Sequence, residues 1–138
     1  MNKVLMLAFA LALVSCKSDK SKMEAANPDD IEGYQAGALV YQDFCLQCHL
    51  AEGQGVPKTF PPLAGSEWLT DKRTESIRSV KFGQRGPIEV LGQPYNGIMP
   101  PMGLTDQEVT DVMNYIMNSW GNKSAQLVTV EEVANVNK

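Results

Sequence analysis

Cys45-Leu46-Gln47-Cys48-His49 is the stretch on which the reading of this 138-residue chain turns. Two thiols three residues apart, with an imidazole directly after them, are what covalent haem attachment needs. Each thiol adds to one vinyl group, and the imidazole lies under the ring as an iron ligand. Cys-x-x-Cys also serves dithiol redox sites and half of many zinc sites, so the rest of the chain must decide. A zinc site wants four ligands, whereas the chain has one histidine and no second Cys-x-x-Cys. A thioredoxin-like site wants apolar strands around the motif. The residues before Cys45 instead carry a helical pattern, with Tyr34, Gly37, Ala38, Tyr41 and Phe44 on one face. Gly37, flanked by aromatics, lets that face press closely on another helix. Haem is therefore the expected cofactor.

Upstream, the uncharged run from Val4 to Val14 follows Lys3. It suits the core of an export signal and is shorter than the ~20 residues of a membrane-spanning helix. It ends in Leu13-Val14-Ser15-Cys16, which resembles the lipobox of bacterial lipoproteins, where the cysteine is acylated and becomes the first mature residue. Residues 1–15 are thus expected to be a lipoprotein signal peptide and Cys16 the lipidated residue. Lipid there would hold the protein on the periplasmic face of a bacterial membrane, which fits covalent haem attachment outside the cytoplasm. The polar stretch that completes residues 16–29 reads as a tether, with a reach of ~20 Å by the random-coil estimate. Asn27 is a candidate N-cap, Pro28 a first helical residue, and Asp29 with Asp30 suits the first turn of a helix that runs into the motif.

Downstream, Thr105-Asp106-Gln107-Glu108 spells a capping box with Leu104 and Val109 as a staple. Val109, Val112, Met113, Ile116, Met117 and Trp120 then form one helical stripe that Gly121 would end. A shorter helix is expected over Thr74–Phe82, with Ile77 and Val80 inward, and a loop with a small hairpin over 86–97. The tail 123–138 holds Thr129-Val130-Glu131-Glu132, which can open a very short helix.

With one histidine in the chain, a second axial iron ligand must come from another residue type. Met1 and Met6 lie in the signal, Met23 in the tether, and Met113 and Met117 on the core stripe. Met99 and Met102 remain, both in Gly97-Ile98-Met99-Pro100-Pro101-Met102-Gly103, whose prolines restrict the backbone.

The chain carries 12 basic and 16 acidic side chains, and residues 1–15 contain only Lys3 among these. The acidic balance argues against nucleic acid or anionic lipid as partners and permits steering toward a basic docking patch. Length points to a single small domain, a monomer whose core needs a buried haem to pack around.

Across residues 30–122 the chain resembles the small class I cytochromes c of bacteria. The resemblance rests on the attachment motif, on Phe60-Pro61-Pro62-Leu63-Ala64-Gly65, and on Tyr95-Asn96-Gly97-x-Met99-Pro100 before the Leu104-Thr105-Asp106 helix start. It implies an all-α fold of three to five helices around one covalent haem c, with the N- and C-terminal helices crossing where Gly37 and Tyr41 meet Tyr115. It also implies Met99 as the second iron ligand and a proline carbonyl, Pro61 first and Pro62 next, that accepts the His49 N–H. Trp68, Arg85, Tyr95 and Asn96 are within the loops that could reach the propionates.

His/Met ligation favours Fe(II) and leaves no open position. The resemblance therefore implies a one-electron carrier between a redox donor and acceptor at the membrane, with no turnover of its own. The other readings are a subunit of a membrane oxidase, alcohol dehydrogenase or nitrite reductase complex, a haem sensor or peroxidase, and a haem-free thiol oxidoreductase.

Overall fold

The structure, a computed structural model, describes residues 33–138. The expected signal peptide, the lipidated Cys16, the tether and the helix start at Asn27 and Pro28 lie outside the described residues. Within them the order is α1 (Tyr34–Phe44), α2 (Leu46–His49), α3 (Trp68–Asp71), α4 (Arg73–Phe82), β1 (Ile88–Val90), β2 (Gln93–Tyr95), α5 (Asp106–Ile116) and α6 (Val130–Asn135). Among the described residues no helix is long and apolar enough to cross a membrane.

That makes six helical segments among the described residues, one more than the upper bound of the three to five expected, and the breaks that set off the short α2 and α3 have local causes. Cys45 closes α1 and opens α2 at φ −111°, while Lys72 separates α3 from α4 at φ −130°, ψ 45°. The helix that enters the motif begins at Tyr34, because Gly33 in front of it is left-handed at φ 79°.

α1 crosses α5 at Gly37. A Cβ built there would lie 2.1 Å from the Asp111 carbonyl oxygen and 2.9 Å from Tyr115 Cβ. Only glycine allows this approach, which brings the rings of Tyr34, Tyr41, Tyr115 and Trp120 into one cluster with centroids 4.9 to 5.6 Å apart. Such pairs add roughly 0.5–1.5 kcal/mol each beyond their area burial. Phe44, expected on this same face, is instead 41 % exposed and borders the apolar cleft.

α5 opens with the capping box expected: the Thr105 hydroxyl accepts from Glu108 N–H at 3.3 Å, and the Glu108 carboxylate accepts from Thr105 N–H at 2.8 Å. Val109, Val112, Met113, Ile116 and Met117 are buried, and Leu104 packs against that core. The helix ends at Ile116, one turn before the expected Trp120. Polar side chains capture its last carbonyls: Asn118 Nδ2 takes Asn114 O at 2.9 Å, Ser119 Oγ takes Tyr115 O at 2.6 Å and Asn122 Nδ2 takes Ile116 O at 2.9 Å.

α4 runs close to its expected bounds, with Ile77 fully buried, and the hairpin β1–β2 pairs Ile88 with Tyr95 in the loop where one was expected. α6 opens on Thr129, whose hydroxyl accepts from Glu132 N–H at 3.2 Å. The Glu132 carboxylate turns to Arg73, 59 residues away, in a two-pronged pair at 2.7 and 2.9 Å. Arg73 holds that carboxyl below its ordinary value near 4.5. A carboxylate whose folded-state pKa is depressed stabilises the fold above the unfolded pKa, and the effect fades as pH falls through the folded value. The parent is therefore expected to melt above a Glu132→Gln variant at neutral pH, with the gap closing as pH falls below the ordinary carboxylate value and through the depressed folded one. At 32 % side-chain exposure the gap should be small and should shrink with salt. A gap that does not narrow as the solution is acidified would assign it to packing instead of charge.

Candidate functional site

The motif helix α2 ends at His49 because Leu50 adopts φ 62°, ψ 170°. That is backbone ground normally left to glycine and costs about 1–3 kcal/mol. The Tyr41 hydroxyl donates to the Leu50 carbonyl at 2.6 Å and holds the turn in place. The chain then doubles back through residues 56–63, which brings the Pro61 carbonyl 3.0 Å from His49 Nδ1. A carbonyl oxygen can only accept, so the imidazole proton sits on Nδ1 and the Nε2 lone pair is left for a metal.

Cys45, Cys48 and His49 form one wall of an apolar cleft of about 1130 Å³, its open mouth included. A second wall is the 59–63 loop with Phe60, Pro61 and Leu63. The third comes from Leu69, from Ser76, Ser79 and Val80 of α4, and from Ile88, Val90 and Tyr95 of the hairpin. Met113 and Ile116 of α5 also line it, and Ile98, Met99, Pro100 and Met102 complete the rim. Among the described residues lining the cleft none carries a charge, and two polar side chains are turned away. Ser76 Oγ donates to Trp68 O at 2.8 Å and Ser79 Oγ to Glu75 O at 2.8 Å.

Met99 is the pinned residue of the rim. Its N–H donates to Gln84 O at 2.9 Å and its carbonyl accepts from Gln84 N–H at 2.8 Å, an isolated antiparallel bridge. Gly83, at φ 81°, lets the chain pass so close that a Cβ would lie 2.6 Å from Met99 O. Met102 also borders the cleft, three residues further along.

The electrostatics suit a ligand site and not a thiolate chemistry. Burial, and then the neighbouring Cys48, push the Cys45 thiol up to about 11, so it is neutral near pH 7. A dithiol oxidoreductase needs the reverse, a thiol lowered into the reactive range. Burial lowers the His49 pKa against the opposing pull of the Pro61 hydrogen bond, which keeps the imidazole in its ligating neutral form.

The residues singled out from sequence separate as follows. Cys45, Cys48, His49, Pro61, Met99 and Met102 converge on one cleft, and Trp68 and Tyr95 join them. Trp68 Nε1 already donates to Glu89 O at 2.7 Å. Arg85 and Asn96 lie outside the lining, and Cys16 lies outside the described residues. Sequence reading missed the contributions of Ser76, Ser79, Met113 and Ile116. Met113 and Ile116 were legible only as core, because one stripe of α5 faces both the protein interior and the cleft. A haem with two thioether links, an imidazole and a thioether ligand fits this donor set and this uncharged lining.

Comparison with known proteins points the same way. The family described as cytochrome c matches residues 34–120. Cytochrome c-552 of Thermus thermophilus is 41 % identical over 106 residues, covering 70 % of this chain and 80 % of that protein. The cytochrome c subunit of a quinone alcohol dehydrogenase from Gluconobacter oxydans is 38 % identical over 101 residues, 71 % of this chain but 21 % of that one. A Cbb3-type cytochrome c oxidase subunit CcoP from Rhodobacter capsulatus is 34 % identical over 92 residues, 62 % of this chain and 30 % of its own length.

Proposed function

Since this chain belongs to the cytochrome c family, we propose that it is a membrane-tethered one-electron carrier in which Cys45, Cys48 and His49 hold the haem and Met99 is the second iron ligand. Family membership itself establishes the all-α fold with its small hairpin, the covalently bound haem c, and electron transfer in place of enzymatic turnover. The observation that carries the finer reading is the convergence of Cys45, Cys48, His49 and Met99 on one uncharged cleft, with Pro61 fixing the imidazole tautomer.

Haem c supplies a one-electron iron couple. The chain does the rest. The Pro61 carbonyl orients His49 and raises its basicity as a ligand. The apolar walls exclude water and favour the less charged reduced form, and a neutral thioether pushes in the same direction. The prolines at 100 and 101 and the bridge from Met99 to Gln84 hold the ligand loop nearly still between oxidation states, so electron exchange needs little rearrangement. The domain is read as residues 30–122, with 123–138 as its tail. Leu13-Val14-Ser15-Cys16 supports a lipid at Cys16 and hence a place on the periplasmic face of a membrane. The protein works as a monomer between a membrane-associated donor and acceptor.

One experiment tests ligation and anchoring together. Membrane and soluble fractions of cells expressing the full chain, or its Cys16→Ala variant, are examined optically in the oxidised, reduced and carbon monoxide-treated states. The parent is expected in the membrane fraction with a low-spin spectrum, a thioether-to-iron charge-transfer band and no carbon monoxide adduct; Cys16→Ala is expected in the soluble fraction with the same spectrum. A carbon monoxide adduct would favour sensing or peroxidase chemistry, and a soluble parent would remove the anchor. A second reading, a fixed subunit of a larger complex, is favoured by the likeness to dehydrogenase and oxidase subunits. Co-purification of one partner in constant ratio after mild solubilisation would select it.

A further inference from the structure

Residues 121–138 lie beyond the segment matched by the family, yet this extension is not a loose end. Val128, Val133 and Val136 are buried in the same core as α4 and α5. α6 has six residues, well short of the ~12–15 an isolated helix needs, so its order comes from what it grips.

Its grip on α4 uses every basic side chain of that helix. Arg73 pairs with Glu132 and donates to Gln126 O at 3.0 Å. Arg78 donates to Asn137 O at 3.1 Å. Lys81 Nζ donates to Val133 O at 2.9 Å and meets the Asp106 carboxylate at the start of α5 at 2.8 Å. On the α5 side, buried Asn114 pairs with one tail residue as a strand neighbour would. Its Nδ2 donates to Val128 O at 3.0 Å, and its Oδ1 accepts from Val128 N–H at 2.8 Å.

The other face of α4 is a cleft wall, through Ser76, Ser79 and Val80. Its C-terminal end passes through Gly83 directly to Gln84, the residue whose two backbone bonds hold Met99. Tail, α4 and ligand loop are thus mechanically in series. We infer that the C-terminal tail is a strap that keeps the Met99 thioether on the iron, with Asn114 and Lys81 as positioning residues for that ligand. The inference rests on the reading of Met99 as the ligand. Without the strap, α4 keeps only the Lys81–Asp106 pair and buried Ile77 to hold it to α5 and loses the tail's grip on Arg73, Arg78 and Lys81. It can then shift and carry Gln84 and Met99 with it, which opens the iron while the α1–α5 crossing stays folded.

The test uses the full-length holoprotein and its Asn114→Ala, Lys81→Met and Glu131→Gln variants, together with a chain that stops at Lys123. Two quantities are read: the rate of carbon monoxide binding to the reduced protein, and the temperature at which the thioether band disappears relative to the loss of helix. In Asn114→Ala and Lys81→Met the carbon monoxide rate should rise about tenfold or more, the scale set by losing a buried or charge-assisted hydrogen bond. The band should also vanish well below the loss of helix. Glu131, exposed on the tail, should change neither reading. The shortened chain, if it folds, should show the largest effect, and the two point variants suffice if it does not. Unchanged rates and a band that melts together with the helices in both point variants would overturn the strap, even if global stability fell. A parent with no thioether band would overturn the ligand reading first, and the strap with it.

Discussion

A Gly37→Val variant is expected to yield almost no folded holoprotein, and Gly37→Ala a protein that melts roughly 10 °C or more below the parent, the shift about 2–3 kcal/mol makes in a domain of this size. The atoms an added Cβ would meet are the Asp111 carbonyl oxygen at 2.1 Å and carbonyl carbon at 2.6 Å. These are backbone atoms inside a helix and cannot rotate aside, so the two helices must separate. Separation loosens the Tyr34–Tyr115 and Tyr41–Tyr115 contacts, whose centroids lie 5.0 and 5.4 Å apart. Overpacking a core costs about 1–3 kcal/mol where side chains can yield, and more where they cannot. Against a total stability of about 5–15 kcal/mol, the branched valine leaves little margin. Haem-stained yield and thermal melts read the effect; a Gly37→Ala protein within a degree or two of the parent would show that the crossing is looser than the structure has it.

A Met99→Ala variant is expected to fold and bind haem, to lose the thioether charge-transfer band, to take up carbon monoxide when reduced, and to drop in reduction potential. The drop should be on the order of 0.1 V or more, within the ~0.8 V that axial ligation spans. Met102→Ala should keep the band, the potential and the resistance to carbon monoxide. The asymmetry follows from the backbone: Met99 is held at both its N–H and its carbonyl by Gln84, so its thioether would meet an iron with little entropy left to lose. Spectroelectrochemistry of the two variants side by side decides it. A band that survives in Met99→Ala and vanishes in Met102→Ala would transfer the role to Met102.

Much of the site was legible in the sequence because the features that build it act over a few residues. Cys45, Cys48 and His49 lie within five residues, as two thiols for the vinyl edge and one imidazole for the iron of a single haem would have to. Thr105 and Glu108 close a capping box over three residues, and the pattern Val109, Val112, Met113, Ile116 states a helix face through its period alone. Less legible were features decided by competition. Trp120 continues the α5 stripe in sequence, but Asn118, Ser119 and Asn122 offer side-chain partners to the final carbonyls and end the helix earlier. Phe44 fits the α1 period, yet its ring borders the cleft and is exposed instead of joining the helix crossing.

From the sequence alone came the haem attachment motif, the helix caps, the hairpin and the proline-framed Met99 loop, all short-range chemistry in which each residue's partner lies within a turn or two. Tertiary structure alone decided that α4 and α5 wall the cleft, whereas the approach of Pro61 to His49 was implied by the family resemblance and by no local pattern. Tertiary structure also decided that the tail closes on α4 through Arg73 and Glu132, 59 residues apart, and on α5 through Asn114 and Val128, 14 apart. No local pattern encodes such pairings, because they form only when burial of a shared core brings distant segments within hydrogen-bonding distance.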